Sequence, residues 1–205
     1  MDVLVVAAFA AEISPLGNPD RGELWEACIV GIGLVAATAG TMWSVRERGP
    51  RAVVAVGTCG AYEGSGLGIG DVVAARTVRL VDPSAVRGLT EYPESLSTQL
   101  STDPHLLEEL TRVGAHPADV ATTLAVTVDD SVADEVARST QCQVEHLEAF
   151  GVAVACAQSG VPFGAVLAVS NIVGRSARGE WLANHRACEA NAASVVRRWL
   201  AARIG

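Results

Sequence analysis

Six short apolar runs alternate along the chain with helix-length segments that are rich in alanine. The runs contain few polar positions, which is typical of strands buried on both faces of a largely parallel sheet. Predicted strands cover residues 2–9, 27–32, 52–57, 71–79, 120–127 and 163–169, and predicted helices cover residues 34–48, 103–113, 131–138, 148–159 and 181–203. The pattern predicts one α/β domain over residues 1–205, with a mixed, mostly parallel central sheet flanked by helices.

Composition limits how this domain is built and where it works. Hydrophobic residues make up 50% of the 205 positions but aromatic residues only 4%, so small aliphatic side chains must form the core. No apolar run reaches the roughly 20 residues that cross a bilayer. The first run, residues 2–9, has no basic stretch or cleavage signal beside it. We therefore expect a cytoplasmic protein without a membrane partner.

The charged residues and the cysteines argue against several classes of function. The formal net charge is −8, and all 15 basic residues are arginines that form no cluster, which argues against a nucleic-acid partner. The absence of lysine removes Schiff-base chemistry and the phosphate-loop lysine. The 5 cysteines form no C-x-x-C pair, so neither a disulfide framework nor a zinc site is indicated. The expected chemistry needs no metal and no organic cofactor.

Polar and glycine residues follow several of the predicted strands. Because ligands of open α/β sheets bind beyond the carboxyl ends of the strands, these positions are candidates for one site. They are Glu12, Gly31–Gly33, Gly57–Ala61 and Ser170–Asn171, together with Glu148 at the start of a helix. Residues 80–102 are rich in Pro, Ser and Thr and lack clear periodicity, so we interpret them as a loop or flap over the sheet.

The segment from Gly31 to Ala36 admits two interpretations. It follows a strand and opens a helix, which satisfies the G-x-G-x-x-G/A pattern of dinucleotide-binding folds. That pattern normally follows the first strand, however, and the acidic ribose ligand expected about 20 residues later is missing. Close helix–strand packing near a small polar ligand is the favoured interpretation, and a non-catalytic nucleotide-binding protein stays as an alternative.

Motifs over nearly the whole chain resemble the nucleoside phosphorylase and nucleosidase superfamily. Residues 57–61, Gly-Thr-Cys-Gly-Ala, resemble its glycine-rich turn, and residues 68–71, Gly-Ile-Gly-Asp, resemble the strand entry downstream. Residues 11–13, Ala-Glu-Ile, and residues 145–149, Glu-His-Leu-Glu-Ala, resemble the segments that carry its two functional glutamates. The resemblance implies a nucleoside phosphorylase-like fold and a nucleoside substrate.

Residues 170–175, Ser-Asn-Ile-Val-Gly-Arg, with Trp181 downstream, are similar to futalosine hydrolases in particular. This resemblance implies an enzyme that hydrolyses futalosine to hypoxanthine and dehypoxanthine futalosine in menaquinone biosynthesis. It also implies a homo-oligomer, with a dimer favoured. A methylthioadenosine/S-adenosylhomocysteine nucleosidase and a phosphate-dependent purine nucleoside phosphorylase remain alternatives.

The resemblance also implies which residues face the sugar and the water. Glu12 would activate the water as a general base, and Glu148 would accept hydrogen bonds from the two ribose hydroxyls. Leu147, where the superfamily usually has Met, would contact the sugar face. Thr58 and Gly60 would line the sugar or water pocket. The neighbouring His146 is assigned no role, because a lone histidine is more often structural or exposed than catalytic.

Base recognition is expected from Ser170 and Asn171. A 6-oxopurine presents two acceptors, and an asparagine amide offers two N–H donors, so Asn171 favours hypoxanthine over adenine. A site built for the hydrogen-bonding pattern of one purine leaves buried polar groups unpaired when the other purine binds. Arg175, or alternatively Arg87, would meet the carboxylate of the substrate's aromatic tail.

A missing arginine favours hydrolysis over phosphorolysis. Phosphorylases of the superfamily bind phosphate with arginines, one of which lies two residues before the glycine-rich turn. Here Ala55 stands at that position, and the only arginine shortly before Gly31 is Arg21. Because a phosphate dianion needs such donors, we expect water to take its place.

Overall fold

The computed structural model describes residues 2–19 and 23–203. The strands are β1 Val3–Ala7, β2 Trp25–Ile29, β3 Ala52–Ala61, β4 Val72–Leu80, β5 Gln99–Ser101, β6 His116–Thr122, β7 Val144–His146 and β8 Phe163–Ile172. The helices are α1 Ala10–Ile13, α2 Leu34–Arg48, α3 Pro83–Val86, α4 Pro104–Arg112, α5 Asp130–Thr140, α6 Ala149–Ser159 and α7 Ala177–Ala202. Within these described ranges, no helix combines the length and apolarity needed to span a bilayer.

The strands form one mixed sheet in the order β2-β1-β3-β7-β6-β4-β5, and β8 pairs with both β3 and β4. Five pairs are parallel: β1 with β2, β1 with β3, β3 with β8, β4 with β6, and β6 with β7. The β3–β7, β4–β5 and β4–β8 pairs are antiparallel. Strands β3, β8, β4, β6 and β7 therefore form a closed ring. The prediction of a mixed, mostly parallel sheet is confirmed, but the sheet is not open.

Successive residues of the central strands pack on opposite faces of the sheet, as the two-residue repeat of a strand requires. Leu4 and Val6 of β1 join a core with α2 and α6, to which Phe150 contributes. Val3 and Val5 join the opposite core with α4 and α7, where Trp199 is buried. The central strands are thus covered by helices on both faces, which explains why their sequences are almost uniformly apolar.

Several boundaries differ from the prediction. Strand β6 ends at Thr122, because the apolar residues that follow belong to a loop in which Leu124 is 75% exposed. Strands β5 and β7 were missed, since segments of three residues carry no measurable periodicity. Helix α7 begins at Ala177 rather than at residue 181. The predicted flap, residues 80–102, contains helix α3 and all of β5.

Candidate active site

The carboxyl group of Glu12 is buried against strand β3. Glu12 lies on α1, the short helix that follows β1, and is only 3% exposed to solvent. Its Oε1 accepts a hydrogen bond from the Thr58 amide at 3.1 Å, and its Oε2 accepts one from the Ala8 amide at 3.2 Å. A Cβ atom at Gly57 would lie 2.7 Å from Oε1, so a larger residue there would displace the Glu12 carboxyl group. Two backbone amides thus hold the carboxyl group in one orientation.

Burial raises the pKa of Glu12 from 4.5 to about 8. The hydrogen bonds from Thr58 and Ala8 lower this pKa, while the negative charges of Glu148 and Glu189 raise it. Desolvation is the largest effect, because a carboxylate removed from water loses solvation that two amides do not replace. A carboxyl group with a pKa near neutrality can take up and release a proton during a reaction near pH 7.

A β-bulge on β8 sets the position of Asn171. The register of β8 on β3 shifts between two neighbouring pairs, so that Val169 pairs with Cys59 while Asn171 pairs with Gly60. A Cβ atom at Gly60 would lie 2.7 Å from Asn171 Nδ2, so glycine at this position gives the amide its space. Bulges of this kind often re-aim a side chain beside a functional site.

The hydrogen bonds of the Asn171 side-chain amide determine which of its atoms remain available to bind a ligand. Nδ2 lies 3.2 Å from the Ile172 carbonyl oxygen, which only accepts hydrogen bonds, so this atom must be the amide nitrogen. The Ser170 hydroxyl lies 3.0 Å from Asn171 Oδ1 and 3.2 Å from the Cys59 carbonyl oxygen. One N–H group of the expected donor pair is therefore directed to the Ile172 carbonyl oxygen. A single N–H donor remains.

Glu148 lies immediately before α6, where the sequence predicts the start of a helix. Its Oε1 accepts a hydrogen bond from the Gly33 amide at 2.7 Å, and the residue is 7% exposed. The glycine segment after β2 therefore donates an amide hydrogen to a carboxylate of the same chain. Leu147, the preceding residue, is half-buried.

Strand β3 brings the three predicted functional residues together. Glu12 contacts Gly57 and Thr58, and Asn171 lies beside Gly60. Strand β7, which leads to Glu148, pairs with β3 at Gly60 and Ala61. The negative charge of Glu148 contributes to the raised pKa of Glu12. The Glu12 carboxyl group and the Asn171 amide thus lie against the carboxyl-terminal half of β3, and the strand that leads to Glu148 pairs with the same half.

Three side chains of α7 adjoin this site, and of these the sequence had suggested only Trp181. Trp181 Nε1 donates a hydrogen bond to the Thr58 hydroxyl at 3.4 Å, and its ring stacks on His185 with the ring centroids 4.4 Å apart. His185 Nδ1 lies 3.0 Å from Oε1 of the buried Glu189. The sequence signal that could have identified His185 and Glu189 is their spacing of four residues from Trp181 onward, which places all three side chains on one face of the helix.

His146 was also given no role, yet it is buried beside Glu148. Its Nδ1 accepts hydrogen bonds from the backbone amides of Glu148 at 3.2 Å and Ala149 at 3.0 Å. Its Nε2 lies 3.3 Å from Glu148 Oε2. Burial lowers the pKa of His146, although the charge of Glu148 acts in the opposite direction.

The arginines proposed for the substrate tail form ion pairs at the surface. The Arg175 side chain is 81% exposed and pairs with Asp130, while Arg87 pairs with Glu135 at 2.6 Å. Both acidic partners belong to α5. Arg21 lies outside the described residues. Ala55, which stands where phosphorylases have an arginine, is buried within β3.

A largely apolar cavity of about 510 Å³ lies between the start of α2 and residues 123–129. Its lining includes Leu34, Tyr92, Leu124 and the carboxylate-bearing Asp82 and Asp129. Leu34, which lines the cavity, follows Gly33 in the chain, and the Gly33 amide binds Glu148. Part of the predicted flap over residues 80–102 forms one of its walls.

Two curated proteins share part of this sequence. A futalosine hydrolase from Acidothermus cellulolyticus is 37% identical over 125 residues, covering 56% of this chain and 51% of the relative. A 5'-methylthioadenosine/S-adenosylhomocysteine nucleosidase from Chromohalobacter salexigens is 32% identical over 155 residues, covering 71% of this chain and 66% of the relative. The matches thus span about half to two thirds of these relatives.

Solved structures share the fold at low sequence identity. A 5'-methylthioadenosine/S-adenosylhomocysteine nucleosidase from Helicobacter pylori, crystallised with 5'-methylthioadenosine, superposes with a TM-score of 0.87, 17% identity and 98% coverage of both chains. Futalosine hydrolase from the same organism gives a TM-score of 0.86, 17% identity and coverage of 99% of this chain and 98% of the other. Residues 22–202 match the sequence family described as the phosphorylase superfamily. The chain is therefore a member of the phosphorylase superfamily.

Proposed function

We propose that this protein hydrolyses the N-glycosidic bond of a 6-oxopurine nucleoside, with futalosine as its substrate and hypoxanthine as the released base. The observation that carries the proposal is the environment of Glu12. Burial raises the pKa of this carboxyl group to about 8, two backbone amides orient it, and the charge of Glu148 raises its pKa further. These are the properties required of a general base that activates water near neutral pH.

The proposed reaction passes through an oxocarbenium-like sugar, as other glycosidic cleavages do. Glu12 accepts a proton from water while the oxygen of that water attacks the anomeric carbon. The bond between this carbon and the purine nitrogen breaks, and its electron pair leaves with the base, which then takes up a proton from solvent water while Glu12 releases the proton that it accepted. Thr58 and Gly60 line the space between the water and the sugar, and the half-buried Leu147 contacts the sugar face.

Glu148 is proposed to hold the ribose. Its Oε1 is already bound by the Gly33 amide, and each carboxylate oxygen has a second lone pair that can accept from a ribose hydroxyl. Fixing the sugar in this way aligns the anomeric carbon with the water near Glu12, and such alignment lowers the barrier by reducing the entropy lost on reaction.

Asn171 and Ser170 are proposed to bind the base. Asn171 Oδ1 faces the Ser170 hydroxyl, and the remaining Nδ2–H is a donor. A donor suits the acceptor nitrogen and the oxo group of hypoxanthine, whereas the amino group of adenine would need an acceptor. This arrangement supports a 6-oxopurine. Because asparagine cannot deliver a proton, departure of the base would rest on hydrogen bonding to its developing charge.

The second candidate is a methylthioadenosine/S-adenosylhomocysteine nucleosidase. Two observations favour it: the relative of that kind matches 71% of this chain, and Asn171 retains one free N–H rather than two. A single donor to one purine nitrogen discriminates less between 6-oxo and 6-amino purines than two donors would. The chemistry at Glu12 and Glu148 would be the same.

Hydrolysis is proposed rather than phosphorolysis because Ala55 offers no donor to a phosphate dianion. The substrate tail would occupy the cavity beside Leu34 and reach Arg175 or Arg87 near α5.

We also propose a cytoplasmic homodimer without nucleic-acid or membrane partners. The exposed side chains of Val35, 78%, and Leu124, 75%, support association of two copies, since large apolar groups are rarely left in water without a purpose. Analytical ultracentrifugation would measure the mass of the assembly.

The proposed function is tested by incubating the protein with futalosine, inosine and methylthioadenosine, each with and without phosphate, and measuring the released base by chromatography. We expect hypoxanthine release from futalosine at a rate that phosphate does not change. A Glu12→Gln preparation is the control for contaminating nucleosidases.

Each alternative gives a different result in this experiment. Faster release from methylthioadenosine would favour the second candidate, and release that depends on phosphate would contradict hydrolysis. No release from any nucleoside, together with tight NAD binding in calorimetry, would favour a non-catalytic nucleotide-binding protein.

A further inference from the structure

His146 lies two residues before Glu148 in the chain, and its ring also contacts Glu148. The ring is buried at the end of β7, and two residues later the chain enters α6 at Glu148. Its Nδ1 accepts hydrogen bonds from the amides of Glu148 and Ala149. The opposite ring nitrogen, Nε2, lies 3.3 Å from Glu148 Oε2. One side chain therefore meets both the backbone and the carboxylate of Glu148.

The two amide hydrogen bonds determine the tautomer of this imidazole. A ring nitrogen that accepts hydrogen bonds carries no proton, so Nδ1 is the unprotonated nitrogen. The neutral ring then carries its single proton on Nε2, the nitrogen beside the carboxylate. Burial also lowers the pKa of His146, which keeps the ring neutral.

We propose that His146 is a positioning residue that fixes the Glu148 carboxylate for binding the ribose hydroxyls. The Gly33 amide holds Oε1 at 2.7 Å, and the Nε2–H of His146 attracts Oε2 from 3.3 Å. The two groups approach different oxygens, so together they restrict rotation of the carboxylate plane, which one contact alone would permit. This inference rests on the proposed ribose-binding role of Glu148.

Two substitutions separate the two functions of the ring. His146→Asn places an amide oxygen near the position of Nδ1, so it keeps an acceptor for the backbone amides but removes the donor to Glu148. His146→Gln places an amide nitrogen near the position of Nε2, so it keeps that donor but removes the acceptor. His116→Asn, at an exposed position of β6, is the matched control.

The measurement is kcat and KM for inosine and for 2′-deoxyinosine, which lacks one of the hydroxyls that Glu148 would bind. We expect His146→Asn to raise KM for inosine about tenfold with a smaller change in kcat, because a misplaced group weakens productive binding. The ratio of kcat/KM for inosine to that for 2′-deoxyinosine should fall by a similar factor. His146→Gln should restore most of the ratio, and a general loss of folding would change both substrates equally.

Glu148→Gln separates failure of this inference from failure of the proposed function. If Glu148→Gln lowers the ratio but His146→Asn does not, the role of His146 is overturned while that of Glu148 stands. If neither variant lowers the ratio, the ribose-binding role of Glu148 fails and the inference fails with it, whereas release of hypoxanthine from futalosine decides the proposed function separately.

The tautomer is tested without any activity measurement. The chain has 4 histidines, so nitrogen NMR of histidine-labelled protein gives few signals, and His146→Asn identifies the one from His146. We expect an unprotonated Nδ1 and a protonated Nε2. A proton on Nδ1 would overturn the inference.

Discussion

Oε1 of Glu12 lies directly over Gly57, at 2.7 Å from the place that a Cβ atom would occupy. Substitution Gly57→Ala should therefore displace the Glu12 carboxyl group, or the strand beneath it, and break its hydrogen bond with Thr58. We expect kcat to fall by about a hundredfold, since general-base catalysis contributes factors of this order and depends on position. Steady-state kinetics with futalosine checks this expectation.

Gly164→Ala on β8 is the control for the effect of a methyl group in a buried strand. There, the nearest atoms to the added Cβ lie 3.4 Å away or farther, at flexible leucine side chains. This variant should keep its turnover near that of the wild type. Equal losses of kcat in Gly57→Ala and Gly164→Ala would mean that the buried strands, rather than the Glu12 carboxyl group, are sensitive to an added methyl group.

The glycines at 57 and 60 also show what the sequence could and could not predict. Glycine beside a hydroxyl at the end of an apolar run predicts a turn, whereas the structure continues strand β3 to Ala61. Neighbouring strands pair with this segment, and the absence of side chains at its glycines leaves space for the side chains of Glu12 and Asn171. Contacts between residues distant in the chain leave no periodic signal.

The alternation of strands and helices, by contrast, was predictable from local pattern. All residues of β1 and residues 52–56 of β3 are apolar because helices cover both faces, so the class of fold follows from the sequence alone. The orientation of Asn171 does not follow in this way. It depends on a bulge in β8 and on the Ile172 carbonyl oxygen, which the sequence does not reveal.

The pKa of Glu12 predicts how activity and stability depend on pH. Only the deprotonated carboxylate can accept a proton from water, so kcat/KM should rise with pH and level off above an apparent pKa of about 8. In Glu12→Gln, kcat should fall by at least about a hundredfold while substrate binding, measured by calorimetry, stays close to that of the wild type. A pH profile that levels off near 5 would contradict the assignment.

Stability should change in the opposite direction over the same pH range. The pKa of Glu12 rises from 4.5 to about 8 on folding, so between these values the folded protein binds more protons than the unfolded chain. This difference lowers the free energy of unfolding as the pH rises, by an amount on the order of a few kcal/mol above pH 8. Urea unfolding of the wild type and Glu12→Gln at pH 5, 7 and 9 measures this effect. If the free energy of unfolding changes with pH equally in the two proteins, Glu12 is not the source of the change.

Asn171→Asp should shift substrate preference toward 6-aminopurines. The new carboxyl group would lie beside the Ile172 carbonyl oxygen, whose partial negative charge disfavours the ionised form and so favours the protonated one. A protonated carboxyl group offers the base an acceptor as well as a donor, which matches the amino group and ring nitrogen of adenine. The ratio of kcat/KM for methylthioadenosine to that for futalosine should rise at least about tenfold. An unchanged ratio would mean that other residues select the base.

Arg175→Met tests whether this arginine meets the substrate tail. The ion pair of Arg175 with Asp130 is highly exposed, so its loss should leave the free energy of unfolding nearly unchanged. If Arg175 binds the carboxylate of futalosine, KM for futalosine should rise about tenfold while KM for inosine, which has no tail, stays constant. Arg112→Met removes an equally exposed ion pair on α4 and serves as the control. Equal KM values for futalosine in the wild type and Arg175→Met would direct the same test to Arg87, which pairs with the same helix.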